Sequence, residues 1–136
     1  MVTNETYDRV SAVTASGRLW RKPPWWNSYA VAEAPAAGVG APTLVEAGIV
    51  LSVRMRLDAR PLLARFLHDF GIIVVPFGED HWREALDAFN RFGEGRHPAG
   101  LNLGDCFSYA VASLAEQPLL CIGDDFRKTG LPVLPA

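Results

Sequence analysis

The spacing of apolar residues divides the chain into an unpatterned stretch up to about Gly40 and a periodic remainder. The periodic part opens with Leu44, Ala47, Ile49, Val50, Leu51 and Val53 at helical intervals. Just ahead, Thr43-Leu44-Val45-Glu46 has the form of a capping box, in which a hydroxyl accepts from a free first-turn N–H and a glutamate three residues on reaches back. Arg54 and Arg56 come late, where positive charge suits the carbonyl end of a helix. Asp58 is placed to cap a second helix carrying Leu62, Leu63, Phe66, Leu67 and Phe70, with Gly71 as its left-handed stop. The β-branched run Ile72-Ile73-Val74-Val75 predicts a strand covered on both faces. From about Asp80 a third helix places Trp82, Ala85, Leu86, Phe89 and Phe92 on one stripe, read as core, and Gly93 stops it. A loop rich in glycine and charge spans 93–104, and a fourth helix runs from about Asp105 to Glu116. Residues 118–122 form a second buried-strand candidate, Asp124-Asp125-Phe126 a short helical segment, and Val133-Leu134 a last short strand.

This alternation of helix pairs and strands, with short connections, predicts an α/β fold: a three-layer sandwich with a mostly parallel central sheet flanked by helices. Ligand sites in such sheets lie beyond the carboxyl ends of the strands, which is where Asp124 and Asp125 fall. The length suits one domain, 1–136, in which 1–40 is atypical. Residues 10–13 carry a weak strand signal there. Trp20, Trp25 and Trp26 crowd around Pro23-Pro24, which breaks any helix. Those indoles have two readings: packing against the sheet or a partner subunit, or a partly disordered tail.

Composition is that of an ordinary globular protein, with 49% apolar and 21% charged residues. A formal net charge of −2 gives no basic excess, so any nucleic acid must be held by a local basic patch or through metal ions. Cys106 and Cys121 sit in apolar runs without metal-ligand spacing, which predicts buried reduced thiols and a cytoplasmic protein, with a disulfide as the alternative. No segment reaches the ~20 apolar residues of a membrane span, and the start has no signal-peptide pattern.

Four carboxylates sit where an α/β fold gathers functional groups. Asp105 opens a mostly apolar helix, Glu46 closes the capping-box pattern, and Asp124 and Asp125 follow a strand. Each has a structural reading, as a first-turn charge, a cap or a solvated turn, and a functional one. Several carboxylates converging on one point would bind a hard, oxygen-seeking cation such as Mg2+ and support phosphodiester hydrolysis. Gly93-Glu94-Gly95 begins like a dinucleotide fingerprint, but Pro98 occupies the third glycine position and the segment follows a helix. His68 and His81 lack a ligand partner at four-residue spacing and read as surface or core residues.

Arg96-His97, the run Leu101-Asn102-Leu103-Gly104-Asp105-Cys106-Phe107-Ser108-Tyr109-Ala110, Gln117-Pro118-Leu119-Leu120 and Gly123-Asp124-Asp125-Phe126 together resemble the C-terminal half of VapC toxins, which are PIN-domain ribonucleases. Ala41-Pro42-Thr43-Leu44-Val45-Glu46 is similar to that family's segment around its second acid. The likeness covers roughly residues 40–136 and keeps the family's order. It implies a PIN fold, Mg2+- or Mn2+-dependent endoribonuclease activity in a type II toxin–antitoxin system, a cognate VapB-type antitoxin and a homodimer. By position, Glu46 and Asp105 match the second and third acids, and the fourth falls on Asp124 or Asp125, with Asp124 preferred for directly following the strand and its glycine. Asn102 is placed to position a ligand or water. Arg96, His97, Arg127 and Lys128 are candidates for phosphate contact, against a reading as solvated charge. The family's opening Asp-Thr-Ser-Ala-type motif is missing, and Asp8, 38 residues before Glu46, is the candidate for the first acid. That departure keeps a second reading open: a degenerate, catalytically weak PIN domain that binds antitoxin or RNA.

Overall fold

The computed structural model describes residues 11–13 and 37–135. Five strands form one parallel sheet: β1 (Ser11–Val13), β2 (Ala37–Gly40), β3 (Ile72–Val75), β4 (Leu119–Cys121) and β5 (Val133–Pro135), in the order β3-β2-β1-β4-β5. Between β2 and β3 run α1 (Ala41–Met55) and α2 (Arg60–Asp69); between β3 and β4 run α3 (Glu79–Phe92) and α4 (Leu103–Ala115). A 3-10 turn, Phe126–Thr129, precedes β5.

Strand periodicity assigns the layers, because alternate residues face opposite sides. Ala37 and Val39 of β2 and Ile72 of β3 pack with Leu44 of α1 and Leu67 of α2. The other side of the sheet meets α3 and α4, where Val75, Ala88, Phe92, Leu101, Val111 and Leu119 share the main core. The second helix pair is antiparallel. Ser113 Oγ donates to Glu84 Oε1 at 2.7 Å near one end, and the Phe92 and Tyr109 rings lie 5.6 Å apart near the other. The expected three layers and parallel sheet are therefore present.

Several local expectations are corrected. Helix α1 starts at Ala41 behind Gly40, with Pro42 in its first turn, where a missing N–H costs nothing. Thr43 is thus already helical and forms no capping box with Glu46; its Oγ1 lies 3.2 Å from Ser108 Oγ on α4. Asp58 stands just outside α2, whose N-cap is Ala59. It accepts the Arg60 N–H at 3.0 Å and forks onto the Arg60 guanidinium, and those hydrogen bonds hold its carboxyl down at about 2. Strand β3 is an edge strand, so Ile73 and Val74 are 40% and 43% exposed, not covered on both faces. The buried face of α3 is His81, Ala85, Ala88 and Phe92, whereas Trp82 and Leu86 are 49% and 53% exposed. Alanines form that face because α3 packs closely on α4, itself lined by Ala110, Ala112 and Ala115. Strand β2 was unforeseen in an Ala/Pro/Gly-rich stretch. Its small residues admit the helix behind it: a Cβ on Gly40 would come within 2.8 Å of Val111 Cγ2. Both cysteines are free and buried, as expected. Among the described residues no helix is long and apolar enough to cross a membrane.

Candidate metal centre

Three chain segments meet beyond the carboxyl ends of the central strands. Strand β2 leads through Gly40 straight into α1, which carries Glu46 in its second turn. Helix α4 presents its N-terminal turn, with Asp105 as its third residue rather than its cap. Strand β4 ends at Cys121, and Gly123, with φ +94°, turns the chain into Asp124 and Asp125.

Asn102 caps α4. Its Oδ1 accepts the Asp105 N–H at 3.0 Å, and the Asn102 N–H donates to Asp105 Oδ2 at 3.1 Å. This reciprocal box starts the helix and fixes the Asp105 side chain at once. Asp105 is buried, in a first turn whose free N–H groups favour negative charge. The Asn102 side-chain oxygen therefore serves the helix cap.

Glu46 comes to the same turn from α1. Its Oε2 lies 2.7 Å from where a Cβ on Gly104 would stand. Partial burial, and then the charge of Asp105, raise the proton affinity of Glu46 above the usual carboxylate range. Two carboxylates thus share one neighbourhood and oppose each other's ionisation. One turn below, Thr43 and Ser108 make the buried hydroxyl contact that joins α1 to α4. Thr43 precedes Glu46 by three residues and Ser108 follows Asp105 by three, so each hydroxyl shares a helix face with its carboxylate. Sequence reasoning missed this pair and Gly104, although the three-residue spacing was a usable signal.

The acids after β4 lie near the same end. Burial pushes the Cys121 thiol up to about 11; Arg127 opposes that rise, and Asp105, Asp124 and Asp125 add to it. Asp124 has an 81% exposed side chain and pairs with Arg127 at 3.8 Å. Asp125 accepts from Lys128 Nζ at 3.2 Å. The same ammonium donates to the Pro98 carbonyl at 3.3 Å, tying the 93–101 loop to the turn after β4. In that loop Arg96 lies over the Phe89 ring at 5.2 Å. His97 Nδ1 accepts the Ala99 N–H at 3.1 Å, and its ring stands edge-on to Phe92.

The structure therefore brings Glu46 and Asp105 together and leaves Asp124 and Asp125 in ion pairs at the rim. Among the described residues no three His, Cys, Asp or Glu side chains gather tightly enough to hold a metal ion. Asp8, the candidate first acid, and the three N-terminal tryptophans lie outside the described residues. An oxygen-only pair of close carboxylates nevertheless fits Mg2+ or Mn2+, since Mg2+ is commonly held by one or two carboxylates and completes its shell with water.

Comparison with known proteins decides the family. The profile of the PIN domain matches residues 24–131. The chain belongs to the PIN-domain family. Its relatives within that family are VapC proteins. Ribonuclease VapC36 of Mycobacterium tuberculosis is 43% identical over 102 residues, covering 75% of this chain and 73% of the relative. VapC ribonuclease Mb2780c of Mycobacterium bovis is 40% identical over 103 residues, covering 75% and 79%. Ribonuclease VapC of Mycolicibacterium smegmatis is 40% identical over 100 residues, covering 74% and 78%. The PIN-domain match takes in the α1–α4 neighbourhood described above.

Proposed function

We propose that this PIN-domain chain is a metal-dependent endoribonuclease toxin of a type II toxin–antitoxin system, hydrolysing RNA phosphodiester bonds. The observation that carries the reading is the Glu46 carboxylate seated beside Asp105 at the first turn of α4, in a chain whose relatives are named VapC ribonucleases. Glu46 and Asp105 would hold Mg2+ or Mn2+, with Asp124 joining from the rim and Asp8 as the candidate first acid. Asp124 is preferred to Asp125 for the fourth place because it directly follows the strand and its glycine; each is ion-paired, Asp124 with Arg127 and Asp125 with Lys128. When bound, the divalent ion supplies charge neutralisation at the phosphate and acidifies water at neutral pH. The protein's share is positional. Asn102 sets the Asp105 side chain, the Thr43–Ser108 contact holds α1 against α4, and the α4 N-terminus favours anionic groups.

Arg96, exposed on the loop and lying over the Phe89 ring, is a candidate to meet RNA phosphate. Arg127, Lys128 and His97 already have partners in the fold and would contribute by orientation or by exchanging them. A VapB-type antitoxin is the partner implied by the relatives' names. A homodimer is supported by the apolar face of α1, where Val45, Ile49 and Val53 stay exposed at four-residue spacing.

The test is cleavage of a mixed structured and single-stranded RNA pool with Mg2+ or Mn2+, with chelator, and with Asp105→Asn. Cutting that requires metal and is nearly abolished in the variant supports the reading. Undiminished cutting by Asp105→Asn would sink it.

A further inference from the structure

We propose that Gly104 is a positioning residue of the metal centre: its missing side chain is the seat of the Glu46 carboxylate. The inference rests on the nuclease reading above and adds a residue that carries no charge and no ligand atom.

Gly104 is the second residue of α4, between the cap Asn102 and Asp105. A Cβ built on it would stand 2.7 Å from Glu46 Oε2 and 3.4 Å from both Glu46 Cδ and Asn102 Oδ1. Ordinary contact begins near 3.4 Å, so the carboxylate oxygen would have to retreat by about 0.7 Å or more. No backbone requirement explains the glycine, because Gly104 is helical and is absent from the residues with positive φ. Helix propensity does not explain it either, since glycine is a poorer helix former than alanine. The three nearest atoms an added Cβ would meet belong to the cap and to the carboxylate. Of these, Glu46 is the one forced to move, and it is the far end of a flexible side chain. The protein can therefore accept a methyl group here at little cost in stability, while the carboxylate is pushed off the turn that also holds Asp105. A hard cation bound between the two acids needs both within its small shell, and misplacing a ligand by a fraction of an ångström weakens it sharply.

The test compares full-length wild type with Gly104→Ala in three ways: thermal midpoint in chelator, Mn2+ affinity by calorimetry, and crystal structures without metal. The expected result is an unchanged or higher midpoint, Mn2+ binding weaker by ~10- to 100-fold, and a displaced Glu46 carboxylate. In a Glu46→Ala background the same glycine replacement should leave Mn2+ affinity where the single Glu46 change put it, because the group it displaces is gone. Wild-type Mn2+ affinity in Gly104→Ala, or a Glu46 carboxylate in its original place, would overturn the proposal. Wild-type protein that takes up no Mn2+ would instead overturn the nuclease reading, and the metal-free crystals would still show whether the glycine seats the carboxylate.

Discussion

Asn102→Ala separates the folding role of the α4 cap from the chemistry beside it. The amide oxygen satisfies the Asp105 N–H at 3.0 Å, and alanine removes that acceptor. The helix cannot relax to find another easily, because eight of its residues, from Asp105 to Ala115, are buried against the sheet and α3. Loss of an N-cap acceptor costs about 1 kcal/mol, within a range of roughly 0.5–2. For a chain of this size that is a fall in thermal midpoint of about 3–5 °C. The second half of the box uses the backbone N–H of residue 102 and survives the change, so Asp105 keeps its 3.1 Å hydrogen bond. RNA cleavage should consequently fall far less than in Asp105→Asn. The assay is circular-dichroism melting in chelator, so that metal binding adds nothing to the midpoint. Asn102→Ser serves as the control, since it keeps an acceptor without adding charge and should stay close to wild type. An Asn102→Ala midpoint equal to wild type, or an equal loss in Asn102→Ser, would refute the capping argument.

Two further outcomes follow from the electrostatics. Glu46 has a raised folded-state pKa, so the folded protein holds its proton more tightly than the unfolded chain does. Its ionisation therefore lowers stability as pH climbs from the unfolded carboxylate pKa through the folded one, and the penalty persists at neutral pH. Metal-free Glu46→Gln should melt above wild type at pH 7, with the difference shrinking below the normal carboxylate pKa; a constant difference across that range would contradict the assignment. Arg96→Ala should weaken RNA binding uniformly across sequences and reduce the slope of log affinity against log salt by about 1. A loss confined to one sequence would show base reading in place of phosphate contact.

Much of the fold was legible from periodicity alone, including stretches such as β3 that carry no part of the resemblance to VapC proteins. Helix pairs, β3, β4 and the turn at Gly123 lay in plain periodicity, and Glu46 and Asp105 were picked out by their place at helix starts. What stayed hidden depends on tertiary neighbours. Strand β2, Ala37-Gly38-Val39-Gly40, has little intrinsic strand preference and is specified by the helix that needs its missing side chains. The stripe on α3 was only partly right: Ala85 and Phe92 are buried as expected, whereas the large side chains of Trp82 and Leu86 stay exposed and close packing on α4 selects the small Ala88 in their place. Thr43 looked like a cap because hydroxyl-to-glutamate spacing is the same for a box and for two residues on one helix face. The seat at Gly104 lay beyond local pattern altogether, since it requires α1 to be laid against α4.

The central claim is that Glu46 and Asp105 share one divalent ion. Anomalous scattering from crystals soaked in Mn2+ tests it most directly. The account predicts a Mn2+ peak at inner-sphere distance, about 2.1 Å, from oxygens of both carboxylates, lost in crystals of Asp105→Asn. Ordered crystals with both carboxylates open to solvent and no Mn2+ between them would contradict it.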